Sequence, residues 1–457
     1  MSNEPTIPQP VQFPDLFDRP LVAAFDQPHA SSDGGAVLLK AIDRRLGLTA
    51  DLAASLVDAR APGRVTHTLA DLLAQRVFGL ACGYADGNDA DRLAEDPIQK
   101  LLLDRDPIEG DALASQPTVS RFENAVGPRA LYQMGRALAA TVIDRHRQRL
   151  QGRARRITID LDVTDDPTHG AQQLSFFHGH YDTWCYLPLL AFVTFNNEPE
   201  QYLCAAVLRP GNAATATGAE AVLRALFALV RSAFPHATVR VRLDGGFAHP
   251  ALLAWLDAAG VEYVVAMAEN AVLTRLVEPL MADVRPAVAA TGTTEHMYGE
   301  TAYAAQSWAH SRRIIMKAEV VCLAGREPRD NARFVITNLR QSPRWVYETV
   351  YCQRGEIENR IKELHHGLEI DRTSCTRFWA NQFRVLLTAA AYVLLQELRL
   401  QAARTVYARA QVSTLRARLI KIGVQVVASV RRLVLHLPQA FADAATWTTI
   451  ARRLGAT

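Results

Sequence analysis

The chain has 457 residues, 49% of them hydrophobic, enough for sizeable cores and two to four domains, which excludes global disorder. Its six cysteines (Cys82, Cys185, Cys204, Cys322, Cys352, Cys375) lie far apart without a CxxC pair, so a disulfide frame or zinc knuckle is not expected. The net charge is only +3, but residues 376–457 carry 12 Lys or Arg against Glu397 and Asp443, a balance of +10 that leaves −7 for the first 375 residues. A basic C-terminal fifth suits a polyanion, most simply nucleic acid, and equally suits an Arg-rich solvated surface.

The chain opens on MSNEPTIPQP, polar and proline-rich, with no basic segment leading into an apolar run, so no export signal is expected. The longest apolar runs, LPLLAFVTF and VLLTAAAYVLL, are too short to span a bilayer, and a cytoplasmic protein without a membrane partner is the expectation. Residues 1 to about 150 read as a helical N-terminal domain. THTLADLLAQRVFGLACGYAD has helical apolar spacing, and SQPTVSRFE within ALASQPTVSRFENAVGPRALYQMGRAL reads as a helix start, either ordinary or opening a recognition helix.

At Arg156 the texture changes. RITIDLDVTDD alternates, with Ile157, Ile159, Leu161 and Val163 on one face and Thr158, Asp160, Asp162 and Thr164 on the other. CYLPLLAFVTF and YLCAAVLRPGN follow as strands, then a helix, the strand ATVRVRLDGGF, the helix HPALLAWLDAAG and the strand VEYVVAMA. This series predicts an α/β core with a mixed sheet, its first part over 151–267. Residues 268–339 turn irregular and then β-rich, which predicts a β insertion. Residues 340–400 return to the core with a charged helix, and 401–457 form a basic C-terminal region.

Asp162 and Asp244 stand at the ends of the first and fourth core strands, and Gly245-Gly246 leaves room for a close approach after Asp244. Ligands of α/β sheets gather beyond the carboxyl ends of strands. In YCQRGEIENRIKELHHG, a 100° projection puts Tyr351, Arg354, Glu358, Lys362 and His365 in one arc beside the apolar stripe Ile357, Ile361, Leu364 and Leu368. Glu356, Asn359, Arg360 and Glu363 then face water. Glu358 could supply a third carboxylate. Three acids without a cysteine favour a hard cation, Mg²⁺ or Mn²⁺, and two such ions about 3.5–4 Å apart serve phosphodiester chemistry. Each acid alone is more simply a strand-end cap or a surface charge.

YCQRGEIE resembles the Tyr-x2-Arg-x3-Glu motif around the last acid of a large group of DDE transposases, with Tyr351, Arg354 and Glu358 matching it. The motif's lysine, seven residues after the Glu, is His365 here, with Lys362 one turn nearer. IDLDVTDDPTHG, LDGGF and DRTSCTRFWANQFR look like blocks of the insertion-sequence 1380 family in that group. The resemblance implies an RNase H-like core interrupted by a β insertion, with Asp162, Asp244 and Glu358 as the catalytic, metal-binding triad. Asp162 is preferred to Asp160 because Asp162-Val163-Thr164 looks like the family's Asp-x-Thr. It also implies Mg²⁺ (Mn²⁺ as substitute), two ions per site, cleavage at insertion-sequence ends, and transfer of the 3′-hydroxyl strands into target DNA. The partners are then terminal inverted repeats and target DNA, bound by a homodimer in a bacterial, nucleoid-associated setting. A structure-specific nuclease on the same core and a non-catalytic DNA-binding repressor are the alternatives.

Tyr351, Arg354, Lys362 and His365 are DNA-binding candidates through that motif, and Arg377 and Arg384 as phosphate contacts. Trp308 with Arg312, Arg313 and Lys317 mixes an aromatic with bases, as for stacking on a displaced base, although a core Trp is the simpler account. Trp379 reads as packing beneath the charged helix, Asp165-Asp166 as a turn, and His169, His178 and His180 as hydrogen-bonding groups without zinc-ligand spacing.

Overall fold

The structure, a computed structural model, describes residues 9–457. The first eight residues, part of the segment read for an export signal, lie outside the described residues. The chain divides into two compact units, Met1–Val126 with Ala390–Thr457, and Gly127–Ala389, the division falling inside the helix Phe378–Gln401. That helix exceeds the length expected from its apolar run and is long and apolar enough to cross a membrane, but 94% of its most apolar window is buried, as in a core helix.

In the first unit, Thr68 and Asp71 close a reciprocal capping box on the helix Leu69–Cys82, satisfying two of its free N–H groups. Gln116–Ala125 is the helix read from SQPTVSRFE. It turns Val119 and Phe122 inward and buries Glu123 against Arg76 at 2.7 Å. The basic C-terminal region belongs to this same unit. Its hairpin, Val424–Ser429 and Arg432–His436, pairs with Ala30–Ser31, and Lys421 reaches Asp33 at 2.6 Å. The helix Pro128–Arg149, expected in the N-terminal domain, belongs to the second unit.

The second unit is built on one large sheet whose strands, in chain order, are β1 (Arg156–Val163), β2 (Leu189–Phe195), β3 (Tyr202–Val207), β4 (Thr238–Leu243), β5 (Glu262–Met267), β6 (Glu295–Tyr303), β7 (Arg312–Val321), β8 (Arg329–Asp330) and β9 (Arg333–Thr337). Their spatial order is β6-β7-β9-β5-β4-β1-β2-β3, with β8 beside β7. β4 runs parallel to β1 and β5, and the other pairings are antiparallel. β1 is buried on both faces, so its apolar side and its Thr158-Asp160-Asp162 side are both covered.

The region read as an insertion differs from expectation in two ways. Its strands β6–β9 do not form a sheet of their own, because β9 pairs with β5 and extends the core sheet. Its irregular opening is a 21-residue helix, Ala271–Thr291, that buries Leu273, Val277, Met281, Val284 and Val288 at helical spacing. Pro279 and Pro286 obscured that pattern. Both lie on the exposed side, where a broken backbone bond meets water.

The charged helix is irregular. A π-turn (Trp345–Tyr351), a 3₁₀ turn (Cys352–Gly355), an α-helical piece (Glu356–Lys362) and a second π-turn (Glu363–Gly367) follow one another. The first π-turn packs Val346, Tyr347 and Val350 on Val264, Ile315 and Val335, so the extended sheet itself anchors this helix. Ile357, Leu364 and Leu368 are buried as projected. Glu363 is not in water but 5% exposed, tolerated because Arg360 meets it at 2.9 Å and also reaches Glu200 at 3.3 Å.

Candidate active site

β1 and β4 are parallel neighbours, so their carboxyl ends lie on one edge of the sheet. The register sets Arg242 directly beside Asp160. Arg242 forks onto both Asp160 oxygens at 2.7 Å each, and Gln201 donates to one of them at 2.9 Å. Asp160 is fully buried with both oxygens engaged. This is a structural pair, and the alternative ligand Asp160 is already occupied by protein.

Two residues further along, Asp162 and Asp244 converge on one guanidinium. Arg354 Nη2 lies 2.9 Å from Asp162 Oδ1 and 3.5 Å from Asp244 Oδ2. Arg354 Nε and Nη2 are buried without a hydrogen-bond acceptor, so the approach to Asp162 is an ion pair off the N–H direction. Asp162 itself accepts the Val163 N–H at 2.9 Å. Burial pushes its carboxyl up to about 6, with Arg354 opposing and the like charge of Asp244 adding to the rise. Asp244 caps the 3₁₀ turn Gly245–Phe247 by accepting from Gly246 N at 2.9 Å. A Cβ on Gly246 would press on Thr215 at 2.6 Å, so the glycine lets that turn pack closely.

Beside Asp162, His365 replaces the motif's lysine and has internal partners. Its Nδ1 donates to Asp371 Oδ2 at 3.1 Å, which leaves Nε2 facing the Thr164 hydroxyl at 2.9 Å. Burial is the largest influence and works to raise the Asp371 carboxyl, but the hydrogen bond and charge of His365, with a backbone hydrogen bond and the charge of His366, together outweigh it and hold Asp371 below its usual value. His365 thus ties the end of β1 to the segment after the charged helix.

The remaining candidates separate. Tyr351 is half-buried against Tyr347, ring centroids 5.4 Å apart. Glu358 and Lys362 are exposed. Among the described residues no three His, Cys, Asp or Glu side chains cluster closely enough to hold a metal, so Glu358 stands apart from Asp162 and Asp244 here. Arg312 is buried on Asp257 at 2.8 Å, and its guanidinium covers Trp308 at 4.9 Å from the ring centre. Arg313 bonds Glu300 and the carbonyls of Leu339 and Gln341. These three are therefore occupied within the fold. Arg384 is 8% exposed, while Arg377 is exposed.

Trp379, expected beneath the helix, is 40% exposed and edge-on to Phe378. Asp166 does not form a turn. It starts a short strand, is fully buried and accepts from the Thr373 hydroxyl at 2.8 Å, and burial raises its carboxyl well above the usual value. Thr164 stands where the alternation and the Asp-x-Thr likeness put it, beside Asp162, whereas Thr373 and Asp371 were not expected at this edge, and their one signal was their place in the block DRTSCTRFWANQFR.

No curated protein matches the chain. Among solved structures, the chain is similar to the piggyBac transposase synaptic complex with hairpin DNA, at 10% identity over 92% of this chain and 82% of that one, with a TM-score of 0.42. The family described as transposase DDE domain group 1 matches residues 13–457. The chain belongs to that family.

Proposed function

We propose that this DNA transposase cleaves insertion-sequence ends and joins the 3′-hydroxyl strands to target DNA at the sheet edge where Asp162 and Asp244 meet. The observation that carries the reading is that pair, two carboxylates from adjacent parallel strands converging on Arg354 in a chain matched by a DDE family. The order β3-β2-β1-β4-β5, with only β1, β4 and β5 parallel to one another, supports an RNase H-like core. The blocks quoted above favour the insertion-sequence 1380 group within the family.

The donor set fits a hard divalent cation, Mg²⁺ or Mn²⁺. Both groups are carboxylates, and a cationic nitrogen already lies between them while lacking a hydrogen-bond acceptor. Asp162 and Asp244 would hold such an ion, with Glu358, one turn beyond Arg354, as the third acid. Bound there, the metal would supply activation of the attacking oxygen and stabilisation of the leaving one. The chain's own groups do the rest. Arg354 offsets negative charge at the carboxylates and is released to meet a phosphate when they are otherwise neutralised. Asp162, buried and poised near 6, is ionised at neutral pH. His365 and Thr164 hold the end of β1. Terminal-repeat recognition falls to the first unit, where N-terminal helices and the basic C-terminal hairpin share one body. Two copies pairing two ends complete the reading.

The exposed position of Glu358 favours one competing reading, a DNA-binding protein without catalysis. Wild type and Glu358→Gln, compared on a labelled duplex carrying the element's own end with Mg²⁺, separate the two. Cutting by wild type, lost in the variant with binding retained, supports the triad. Equal cutting removes Glu358 from it. Joined products from wild type distinguish transposition from nuclease action.

A further inference from the structure

Arg209 stands two residues beyond the end of β3 and is 4% exposed. Other buried arginines meet carboxylates: Arg76 pairs with Glu123, Arg240 with Glu262, Arg242 with Asp160 and Arg312 with Asp257. Arg209 meets backbone carbonyls instead. Its Nε donates to Leu187 O at 2.8 Å, and its Nη1 donates towards the carbonyls of Ala214, Thr215 and Thr217 at 3.2, 2.8 and 2.9 Å. Its Nη2 is buried without an acceptor. Burial pulls the guanidinium down to about 10, which Tyr181 opposes. A buried cation without a carboxylate is costly, and this one directs its donors at a loop.

That loop, 210–218, leads directly to the reactive edge. At its start Gly211 N donates to Leu174 O at 3.2 Å, and an added Cβ would run into the backbone of Phe176 and Cys185. Further along, Thr215 lies over Gly246, where an added Cβ would come within 2.6–2.9 Å of the Thr215 Cγ2, Oγ1 and Cβ. Gly246 N is the donor that holds Asp244 Oδ1 at 2.9 Å, and the other Asp244 oxygen is the one 3.5 Å from Arg354. A continuous path of contacts thus runs from Arg209 through Thr215 and Gly246 to Asp244. An irregular segment has no sheet or helix to fix its carbonyls. The planar guanidinium fork sets their positions, which the single ammonium of a lysine could not do.

We infer that Arg209 is a positioning residue for the reaction at Asp162 and Asp244: it fixes the loop 210–218 so that Thr215 packs on Gly246 and holds the Asp244 carboxylate in place. The inference rests on the DNA-transposase reading. It adds a residue that touches neither carboxylate yet sets where one of them stands. Groups that orient a metal-binding carboxylate from behind change metal affinity or activity by about 10–100-fold when they are lost.

The test compares full-length wild type, Arg209→Lys, Thr215→Ala and the double variant by Mn²⁺ titration calorimetry, duplex binding and Mg²⁺-dependent cutting. Each single variant should weaken Mn²⁺ binding and slow cutting by roughly tenfold to a hundredfold, with duplex affinity within about twofold of wild type. Because both act on one contact, the double variant should lose no more than the worse single one. Thr215→Val keeps both branches against Gly246 and should hold most of the wild-type Mn²⁺ affinity, a distinction that general loosening of the fold would not make. Unchanged Mn²⁺ affinity in Thr215→Ala overturns the route, even if Arg209→Lys unfolds the protein, and so do losses that add in the double variant. Wild type that binds Mn²⁺ but cuts no DNA overturns the transposase reading alone, since the affinities still judge the positioning.

Discussion

Asp160 and Asp162 share a strand and a face, and each meets an arginine, yet they occupy different chemical situations. Asp160 is a closed unit, with a bidentate arginine, a glutamine amide and no exposed surface. Asp162, one step nearer the sheet edge, shares a single misaligned guanidinium with a second carboxylate. A buried charge whose partners are complete builds structure, whereas one whose partners are incomplete is free to exchange them.

The comparison breaks most readily through activity. Asp162→Asn or Asp244→Asn is expected to lower DNA cleavage by on the order of a thousandfold or more, with DNA binding retained, in a gel assay with Mg²⁺. Normal cutting by Asp162→Asn would move the reactive centre elsewhere. Asp160→Ala should do the opposite kind of damage. It leaves Arg242 buried and unpaired and is expected to cost about 3–5 kcal/mol in urea unfolding. A loss below about 1 kcal/mol would mean that the pair is not the closed unit described.

Acidity sharpens the contrast. The Asp162 pKa is raised from 3.8 to about 6, so the folded state holds this proton more tightly than the unfolded chain does. Its contribution is therefore fully present below about pH 4 and falls away as pH rises to 6, by about 3 kcal/mol in the metal-free protein. Subtracting the Asp162→Asn unfolding curve from wild type, with chelator present, should isolate that slope. A flat difference between pH 4 and 6 would contradict it. Binding of Mg²⁺ should weaken as pH drops below about 6, where the metal-free carboxyl takes up its proton.

Smaller effects test the surroundings. His365→Ala removes bonds to Thr164 and Asp371 and should cost about 1–2 kcal/mol, measured by thermal unfolding. Glu358→Gln, on an exposed side chain, should leave stability within about 0.5 kcal/mol. If it destabilised the fold, its effect on cutting could not be assigned to chemistry.

Much of the sheet was legible because strict alternation in RITIDLDV and VRVRLD leaves a strand no other way to bury its apolar side. The ends of those strands already singled out Asp162 and Asp244. The charged helix was legible only in part. A uniform 100° step placed Ile357, Leu364 and Leu368 correctly, but two π-turns spoil the projection, and Glu363 is buried while Glu358 is exposed. Helical periodicity in 271–291 was hidden by Pro279 and Pro286.

Local pattern alone therefore determined which segments become strands and which acids reach the strand ends, since periodicity and chain direction are properties of neighbouring residues. Tertiary structure decided which arginine each acid meets, that β9 joins β5, and that the basic C-terminal hairpin pairs with Ala30–Ser31. Those are contacts between residues distant in sequence. Arg242 and Arg354 look alike in the chain, and only register and helix placement make one a structural partner and the other a counter-ion at an open site.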